Sequence, residues 1–156
     1  MCGIVAILSR PASRPAPTSD ELLTLLDEAV VAIDRPDRVD ALGRASEPLE
    51  VADALLRGVP GVEALVAERG LEAEMVARLD RLDAAVDAVE RELEAGEADS
   101  TPEQIELCNA ALVRARDALW ALRHDRLRTA HAVVGLARRD AGPASLAAFS
   151  AVQMAL

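Results

Sequence analysis

Two long stretches with apolar residues at heptad spacing constrain the fold of this chain most strongly. In the first, residues 71–95, the apolar positions alternate by four and three residues: Met75, Leu79, Leu82, Val86, Val89 and Leu93. The second starts at Thr101 and is predicted to run to about Arg139, with apolar positions at Ile105, Cys108, Leu112, Ala115, Leu119 and Leu122. Such spacing forms one apolar stripe along each helix. Because a short polar connection joins the stretches, the sequence predicts an antiparallel coiled-coil hairpin over about residues 71–140.

Two details of this hairpin follow from the same pattern. After Leu122 the apolar spacing slips at Arg126, and it resumes at Leu127, at Ala130 or His131, and at Val134. The remaining positions of the first helix carry a run of charges that predicts a solvated face: Arg78, Asp80, Arg81, Asp83, Asp87, Glu90, Arg91 and Glu92. Thr101-Pro102-Glu103-Gln104 has the residues of a capping box with proline in the first turn, so the second helix is predicted to begin there.

The stretch before the hairpin reads as a series of shorter helices. Thr18 and Glu21 have capping-box spacing and predict a helix to about Ile33. Further helices are predicted over residues 38–44, from a cap at Ser46-Glu47-Pro48 to Arg57, and over residues 62–69, with a break at Gly58, Pro60 and Gly61. The fold class is therefore mainly α, a helical bundle that contains the coiled-coil hairpin.

Composition excludes several classes of function. The 156 residues carry a formal net charge of -10, which disfavours nucleic acid and anionic membrane as partners. The chain has no apolar run of the roughly 18 residues needed to cross a bilayer. Its two cysteines, Cys2 and Cys108, do not suggest a disulfide framework, so we expect a cytoplasmic protein. No cofactor is predicted, and self-association into a homo-oligomer stays open.

The first eight residues carry the strongest chemical signal. Removal of Met1 would leave Cys2 with a thiol and a free α-amine, whose ordinary pKa values are about 8.5 and about 8. The amine can therefore serve as general base for the thiol. The apolar run from Ile4 to Leu8 predicts one short β-strand, buried on both faces, that would hold this end in place. Residue chemistry alone favours the other interpretation, an ordinary first strand with an idle cysteine.

A family resemblance changes that balance. Met1-Cys2-Gly3-Ile4-Val5 followed by Ala6-Ile7-Leu8 resembles the start of the class II glutamine amidotransferases, which are N-terminal-nucleophile (Ntn) hydrolases. Within them it most resembles the glucosamine-6-phosphate synthase (glutamine–fructose-6-phosphate aminotransferase) branch. The resemblance implies that Met1 is removed and that Cys2 attacks the glutamine side-chain amide. It also implies that ammonia is supplied to a sugar-phosphate acceptor. The segment Ala147–Leu156 resembles the first helix of the same family.

The resemblance implies a division of the chain into four parts. Residues 1–8 are the first strand with the nucleophile, 9–17 a Pro-rich linker, 18–142 a helical insertion, and 143–156 the start of the first amidotransferase helix. The whole is expected to be a fragment of an Ntn-hydrolase α/β domain. The family's Arg-Gly-x-Asp-Ser segment, its oxyanion-hole residues and its sugar-phosphate isomerase domains are absent from the sequence. Substrate-binding residues are thus expected outside it, and the isolated chain is expected to be inactive.

Few other residues offer chemistry. Cys108 lies on the apolar stripe and is predicted to be a small core thiol. His124 and His131 could meet Asp125 or Asp117 around a metal, but no paired ligand spacing supports this, so no metal site is predicted. Trp120 is predicted to contribute to packing. The alternative to the amidotransferase is a helical coiled-coil module for protein–protein interaction without catalysis, which leaves the N-terminal motif a coincidence.

Overall fold

A computed structural model of the protein describes residues 14–68, 70–95 and 101–133, and these residues are almost entirely helical. The elements in chain order are α1 (Ser19–Ile33), α2 (Arg38–Leu55), α3 (Gly58–Ala67), α4 (Leu71–Glu94), α5 (Pro102–Trp120) and a π-helical segment (Ala121–Leu127) that leads into a last helical stretch over residues 128–133. The prediction of a mainly α fold is confirmed. The predicted strand over residues 1–8 lies outside the described residues.

Four of the helices form a ring around one core. α1 packs on α2 and on α4, and α5 packs on the same two helices, so α1 lies diagonally opposite α5. Buried leucines from all four helices meet in one apolar cluster, among them Leu26, Leu49, Leu79 and Leu119. The predicted stripes of α4 and α5 therefore face a core that they share with α1 and α2, because two helices alone would leave half of that apolar surface in water.

Ion pairs between helices reveal their relative directions. Arg78 on α4 pairs with Asp27 on α1 at 2.7 Å, and Arg81 pairs with Asp34 at 2.9 Å, so α1 and α4 run parallel. On α5, Arg116 pairs with Asp87 at 2.6 Å and Arg123 pairs with Asp83 at 2.7 Å, so α4 and α5 run antiparallel. The antiparallel relation predicted for these two helices is thus present. The short helix α3 links α2 to α4, its diagonal neighbour in the ring.

The charged side chains of α4 also form ion pairs with neighbouring helices. None of the charged residues in this run is buried, so the predicted solvated face is confirmed, and Arg78, Arg81, Asp83 and Asp87 in addition pair with a neighbouring helix. Exposed ion pairs of this kind contribute only about 0.2–1 kcal/mol each. Their main effect is therefore to favour one order and one register of helices over the alternatives.

The predicted helix starts at two of the caps are confirmed. The Thr18 hydroxyl accepts a hydrogen bond from the backbone N–H of Glu21 at 3.2 Å, and α1 begins at the next residue. At α5 the full capping box forms, because Thr101 and Gln104 each accept a hydrogen bond from the backbone N–H of the other. Local side-chain chemistry at these sites supplies partners for N–H groups that no helical carbonyl can reach.

α2 corrects the prediction of two short helices. It is continuous through Pro48, and the expected cap residue Ser46 is buried in its interior. The Ser46 hydroxyl donates to the Leu42 carbonyl at 2.7 Å, so it is satisfied inside the helix instead of capping a new one. Burial of Leu42 and Leu49 on the same face outweighs the backbone hydrogen bond that Pro48 cannot donate.

The start of α3 also differs from the prediction of a helix over residues 62–69. The helix begins at Gly58, where the sequence predicted a break, and Pro60 lies in its first turn. A proline is tolerated there because the N–H groups of a first turn have no helical acceptor. Gly58 has a φ of 73°, a conformation that glycine adopts without strain, and it turns the chain from α2 into α3.

Gly61 gives a test of the close approach between α2 and α3. A Cβ added to Gly61 would lie 2.0 Å from the Leu56 carbonyl oxygen, so Gly61→Ala is expected to destabilise the protein by about 1–3 kcal/mol. Gly43→Ala is the matched control, since its Cβ would meet nothing within 4 Å in the interior of α2. That variant should gain roughly 0.5–1 kcal/mol. Urea unfolding followed by circular dichroism measures both, and equal effects would contradict the packing of α3.

The slip in the apolar pattern of the second long helix corresponds to the π segment. From Leu122 to Leu127, both buried, the step is five residues instead of three or four. A π-helical turn contains this extra residue, which turns Leu127 and Ala130 back toward the core. Two side chains correct the prediction: Ile105 is 41% exposed, although it was assigned to the apolar stripe, and Trp120 is 57% exposed.

None of the described helices combines the length and apolarity that crossing a bilayer requires.

Candidate functional site

The predicted nucleophile, Cys2 with its α-amine, lies outside the described residues, as do the linker up to residue 13 and the segment 143–156. What the structure does describe is the part of the bundle from which those segments depart. We therefore take the end of the bundle that carries residues 14 and 133 as the reference point for the site.

The chain reaches and leaves the bundle at the same end. Arg14, before α1, donates a hydrogen bond to the Arg57 carbonyl at the end of α2. At the other terminus of the described chain, His131 Nδ1 lies 2.7 Å from a carboxylate oxygen of Glu72 in the first turn of α4. The end of α2 and the start of α4 are joined by α3, so both contacts lie at one end of the ring. Residues 14 and 131 therefore lie at the same end of the bundle.

An ionic cluster around a buried carboxylate lies at this end. Asp53 on α2 is only 5% exposed. One of its carboxylate oxygens accepts from Arg126 Nε at 2.7 Å, and the other accepts from both Nε and Nη2 of Arg57, at 3.0 and 2.6 Å. Burial acts to raise the pKa of Asp53, but the hydrogen bonds from Arg126 and then Arg57 outweigh it, so the pKa lies below its usual value.

The π segment positions Arg126 for this contact. In an uninterrupted α-helix the residue four after Leu122 would share its buried face. The extra residue of the π segment rotates Arg126 away from the core toward α2, where it meets Asp53. The apolar pattern predicts the slip at Arg126. It does not predict the ion pair between Arg126 and Asp53, because Asp53 is distant in sequence.

Asp53 predicts a pH-dependent stability. Since its pKa is lowered in the folded protein, its contribution is present above the unfolded pKa of about 4 and is lost as the pH falls through the folded value. Asp53→Asn should therefore cost about 1–3 kcal/mol at pH 7. The difference should shrink in melts at pH 3 and below. Asp117→Asn, at an exposed position of α5, is the control and should change little. A cost that stayed constant with pH would show that the carboxylate charge is not responsible.

Cys108 occupies the core position that the sequence predicted. It is 4% exposed, and burial raises the pKa of its thiol. A thiol with a raised pKa has little thiolate at neutral pH and reacts slowly with electrophiles. Selective labelling of the chain at neutral pH would therefore report on Cys2 and not on Cys108.

The two histidines make separate contacts. His131 lies against Glu72, as described above, and the His124 ring stacks near Trp120 with ring centroids 5.2 Å apart. Within residues 14–68, 70–95 and 101–133, no three His, Cys, Asp or Glu side chains are grouped so that they could hold a metal ion.

Three shallow grooves flank α5; the one at its first turns, of about 440 Å³, is lined by Arg38, Leu93, Leu107 and Cys108, and the other two lie farther along the helix. One, of about 460 Å³, lies against α2 and is lined by the paired charges Glu50 and Arg114, with Asp53 and Arg57 at its end. The other, of about 440 Å³, lies between α4 and α5 and includes Leu93, Leu112 and Val113. The groove against α2 is lined by ion-paired side chains, whereas the groove between α4 and α5 exposes Val113 beside the half-buried Leu93 and the buried Leu112.

No protein-family model matches the chain, and neither a curated protein nor a solved structure shows significant similarity to it.

Proposed function

We propose that this chain is the N-terminal part of a glutamine amidotransferase of the fructose-6-phosphate aminotransferase type. Its first residues would carry the nucleophile, and its helical bundle would be an insertion beside the first strand. The proposal starts from the motif Met1-Cys2-Gly3-Ile4-Val5. The observation that carries it further is the arrangement of the bundle, whose two flanking segments depart from the same end near Arg57 and Glu72. A bundle of this kind can be inserted between a strand and the helix that follows it without separating them.

The core of the bundle is compatible with the same assignment. Among the residues that the structure describes, the buried cluster draws on all four ring helices. In this proposal the N-terminal motif and the segment 143–156 pack with each other in an Ntn-hydrolase α/β domain. The glutamine-binding and oxyanion-stabilising residues are placed outside residues 1–156.

In the proposed chemistry Cys2 supplies both the nucleophile and the general base. After removal of Met1, the α-amine takes the thiol proton, and the sulfur attacks the carbonyl carbon of the glutamine side-chain amide. The tetrahedral intermediate collapses when the protonated amine returns its proton to the leaving nitrogen, which departs as ammonia. Water, deprotonated by the same amine, then attacks the thioester and releases glutamate and the free thiol. Ammonia passes to the sugar-phosphate acceptor, and no metal or cofactor takes part. A thiol in this role suits the reducing cytoplasm.

Labelling of the full-length protein tests this function. A glutamine analogue that carries a chloroketone in place of the amide should alkylate Cys2, and glutamine should protect against it. Intact mass and peptide mapping should show Met1 removed and Cys108 unlabelled. Cys108→Ser is the matched control and should label to the same extent as the parent protein. Retained Met1, or a label that glutamine does not exclude, would refute the proposal.

A second candidate function, a helical interaction module without catalysis, is favoured by the exposed apolar groove between α4 and α5. It requires no processing of Met1 and no reactivity at Cys2, so the labelling experiment separates it from the first. The two functions are compatible if the inserted bundle binds a partner while the N-terminal residues act on glutamine.

A further inference from the structure

The groove between α4 and α5 combines an apolar floor with charged residues along its rim. It is lined by Leu93 and Glu94 on α4 and by Leu112, Val113 and Asp117 on α5, together with the ion-paired Glu90 and Arg116 and with Asn109. We call this the α4–α5 groove. Among its apolar side chains, Val113 is exposed and Leu93 is half-buried, whereas Leu112 reaches into the core and forms the floor of the groove.

Exposed apolar residues also lie on α5 beyond both ends of the groove. Ile105, Val113 and Trp120 follow one another at intervals of eight and seven residues, which places them in one sector of the helix, and they are 41%, 59% and 57% exposed. The outer face of a bundle helix is normally polar. At about 1.5 Å per residue, the stretch from Ile105 to Trp120 spans roughly 22 Å. That length matches four turns of a helix packed alongside.

The charges around the groove define the partner. Its one arginine, Arg116, is committed to Asp87 at 2.6 Å and also to Glu90, and these carboxylates raise its pKa above the usual value, with Asp87 the larger influence. Glu94 and Asp117 have no ion-pair partner among the residues that the structure describes. The unpaired charges at the rim of the α4–α5 groove, Glu94 and Asp117, are therefore negative, and the floor of the groove is apolar.

We propose that the α4–α5 groove binds a basic amphipathic helix of a partner protein, with its apolar face on Leu93, Val113 and Trp120 and its Lys or Arg residues toward Glu94 and Asp117. This mode uses an apolar groove for affinity and the rim charges for selectivity. A second copy of this chain is less suited to the groove because it would bring the same two carboxylates to a rim that is already negative. The inference is independent of Cys2 and of the proposed glutamine chemistry.

Trp120 provides the readout, because it is the single tryptophan of a chain that has no tyrosine. The probe is an 18-residue peptide with leucines at helical spacing and lysines elsewhere, compared with the same peptide carrying glutamates in place of lysines. In about 150 mM salt the basic peptide should shift the Trp120 emission to the blue in a saturable manner. The acidic peptide should have no effect at the same concentrations.

Two valine substitutions make the test specific to the groove. Val113→Asp should weaken binding of the basic peptide by about tenfold or more, since it places a charge on the apolar floor. Val31→Asp is the matched control: Val31 is 70% exposed on α1, diagonally across the bundle from α5, and its substitution should leave binding unchanged. The added aspartate raises the negative charge equally in both variants, so a purely electrostatic attraction would survive in both.

Three results would overturn the proposal. Equal binding of the acidic and the basic peptide would show that the carboxylates at the rim do not select for a basic partner. Undiminished binding by Val113→Asp, with circular dichroism showing that the variant is folded, would place the peptide elsewhere. A blue shift of Trp120 with rising protein concentration alone, together with a dimer in sedimentation, would assign the groove to a second copy. None of these results bears on labelling of Cys2, which tests the proposed function separately.

Discussion

Replacing Cys2 by Ser in the full-length protein is expected to lower glutamine hydrolysis by about 10⁴-fold or more, because the proposed mechanism passes entirely through the thiolate. A serine hydroxyl is a much weaker acid and a poorer nucleophile than a thiol, so the same α-amine activates it far less well at neutral pH. The measurement is glutamate release from glutamine. Met1 should still be removed from this variant, since serine is as small as cysteine, so the substitution isolates the chemistry from the processing.

Two controls make this result specific. Cys108→Ser should keep the parent rate, because Cys108 is buried in the bundle core and its thiol pKa is raised. If the proposed function holds, amination of fructose 6-phosphate with ammonia supplied in the buffer should survive in Cys2→Ser, since the proposed amination step does not use the thiol. Glutamate release that persisted in Cys2→Ser would show that another residue is the nucleophile.

Replacing Leu79 by Ala is expected to destabilise the protein by about 2–5 kcal/mol. Leu79 on α4 is 0% exposed in the core shared by the four ring helices, so its removal leaves a cavity that neighbours on three other helices must fill. At roughly 4 °C per kcal/mol the midpoint of thermal unfolding should fall by about 8–20 °C. Differential scanning calorimetry provides the measurement.

Leu107→Ala is the matched control for the cavity. Leu107 on α5 is 59% exposed, and the same chemical change there removes few contacts and should alter stability by no more than about 0.5 kcal/mol. If the two helices formed an isolated hairpin, Leu79 would be half-covered and the two substitutions would have similar effects. Comparable shifts in the two variants would therefore contradict a core closed by four helices.

The parts of the fold that the sequence predicts well are those controlled by neighbouring residues. The caps at Thr18 and Thr101 act on N–H groups three residues away, so their residue types are sufficient to locate the starts of α1 and α5. The apolar spacing of α4 likewise defines a buried stripe, and Met75, Leu79, Leu82, Val86 and Val89 are all buried. The five-residue step at Leu122 also reports a local property, the π segment.

The errors fall where distant contacts outweigh local signals. Ser46 and Pro48 together look like a helix start, yet burial of Leu42 and Leu49 against other helices keeps α2 continuous. Trp120 follows the stripe in sequence but faces outward, because apolar spacing alone does not say how wide the contact with neighbouring helices is. The Asp53 cluster was missed for the same reason, since Arg126 is 73 residues away along the chain.

The sequence by itself determined the helical class of the described residues, the caps and the apolar stripes, because each depends on side chains within one or two helical turns. It also supplied Cys2 and the motif on which the proposed chemistry rests. Only the tertiary structure decided that α1 lies diagonally opposite α5, that both flanking segments depart from one end, and that Val113 and Trp120 remain uncovered. Helix order around a core depends on the sum of many weak contacts between residues distant in sequence, and no single stretch of the chain contains that sum.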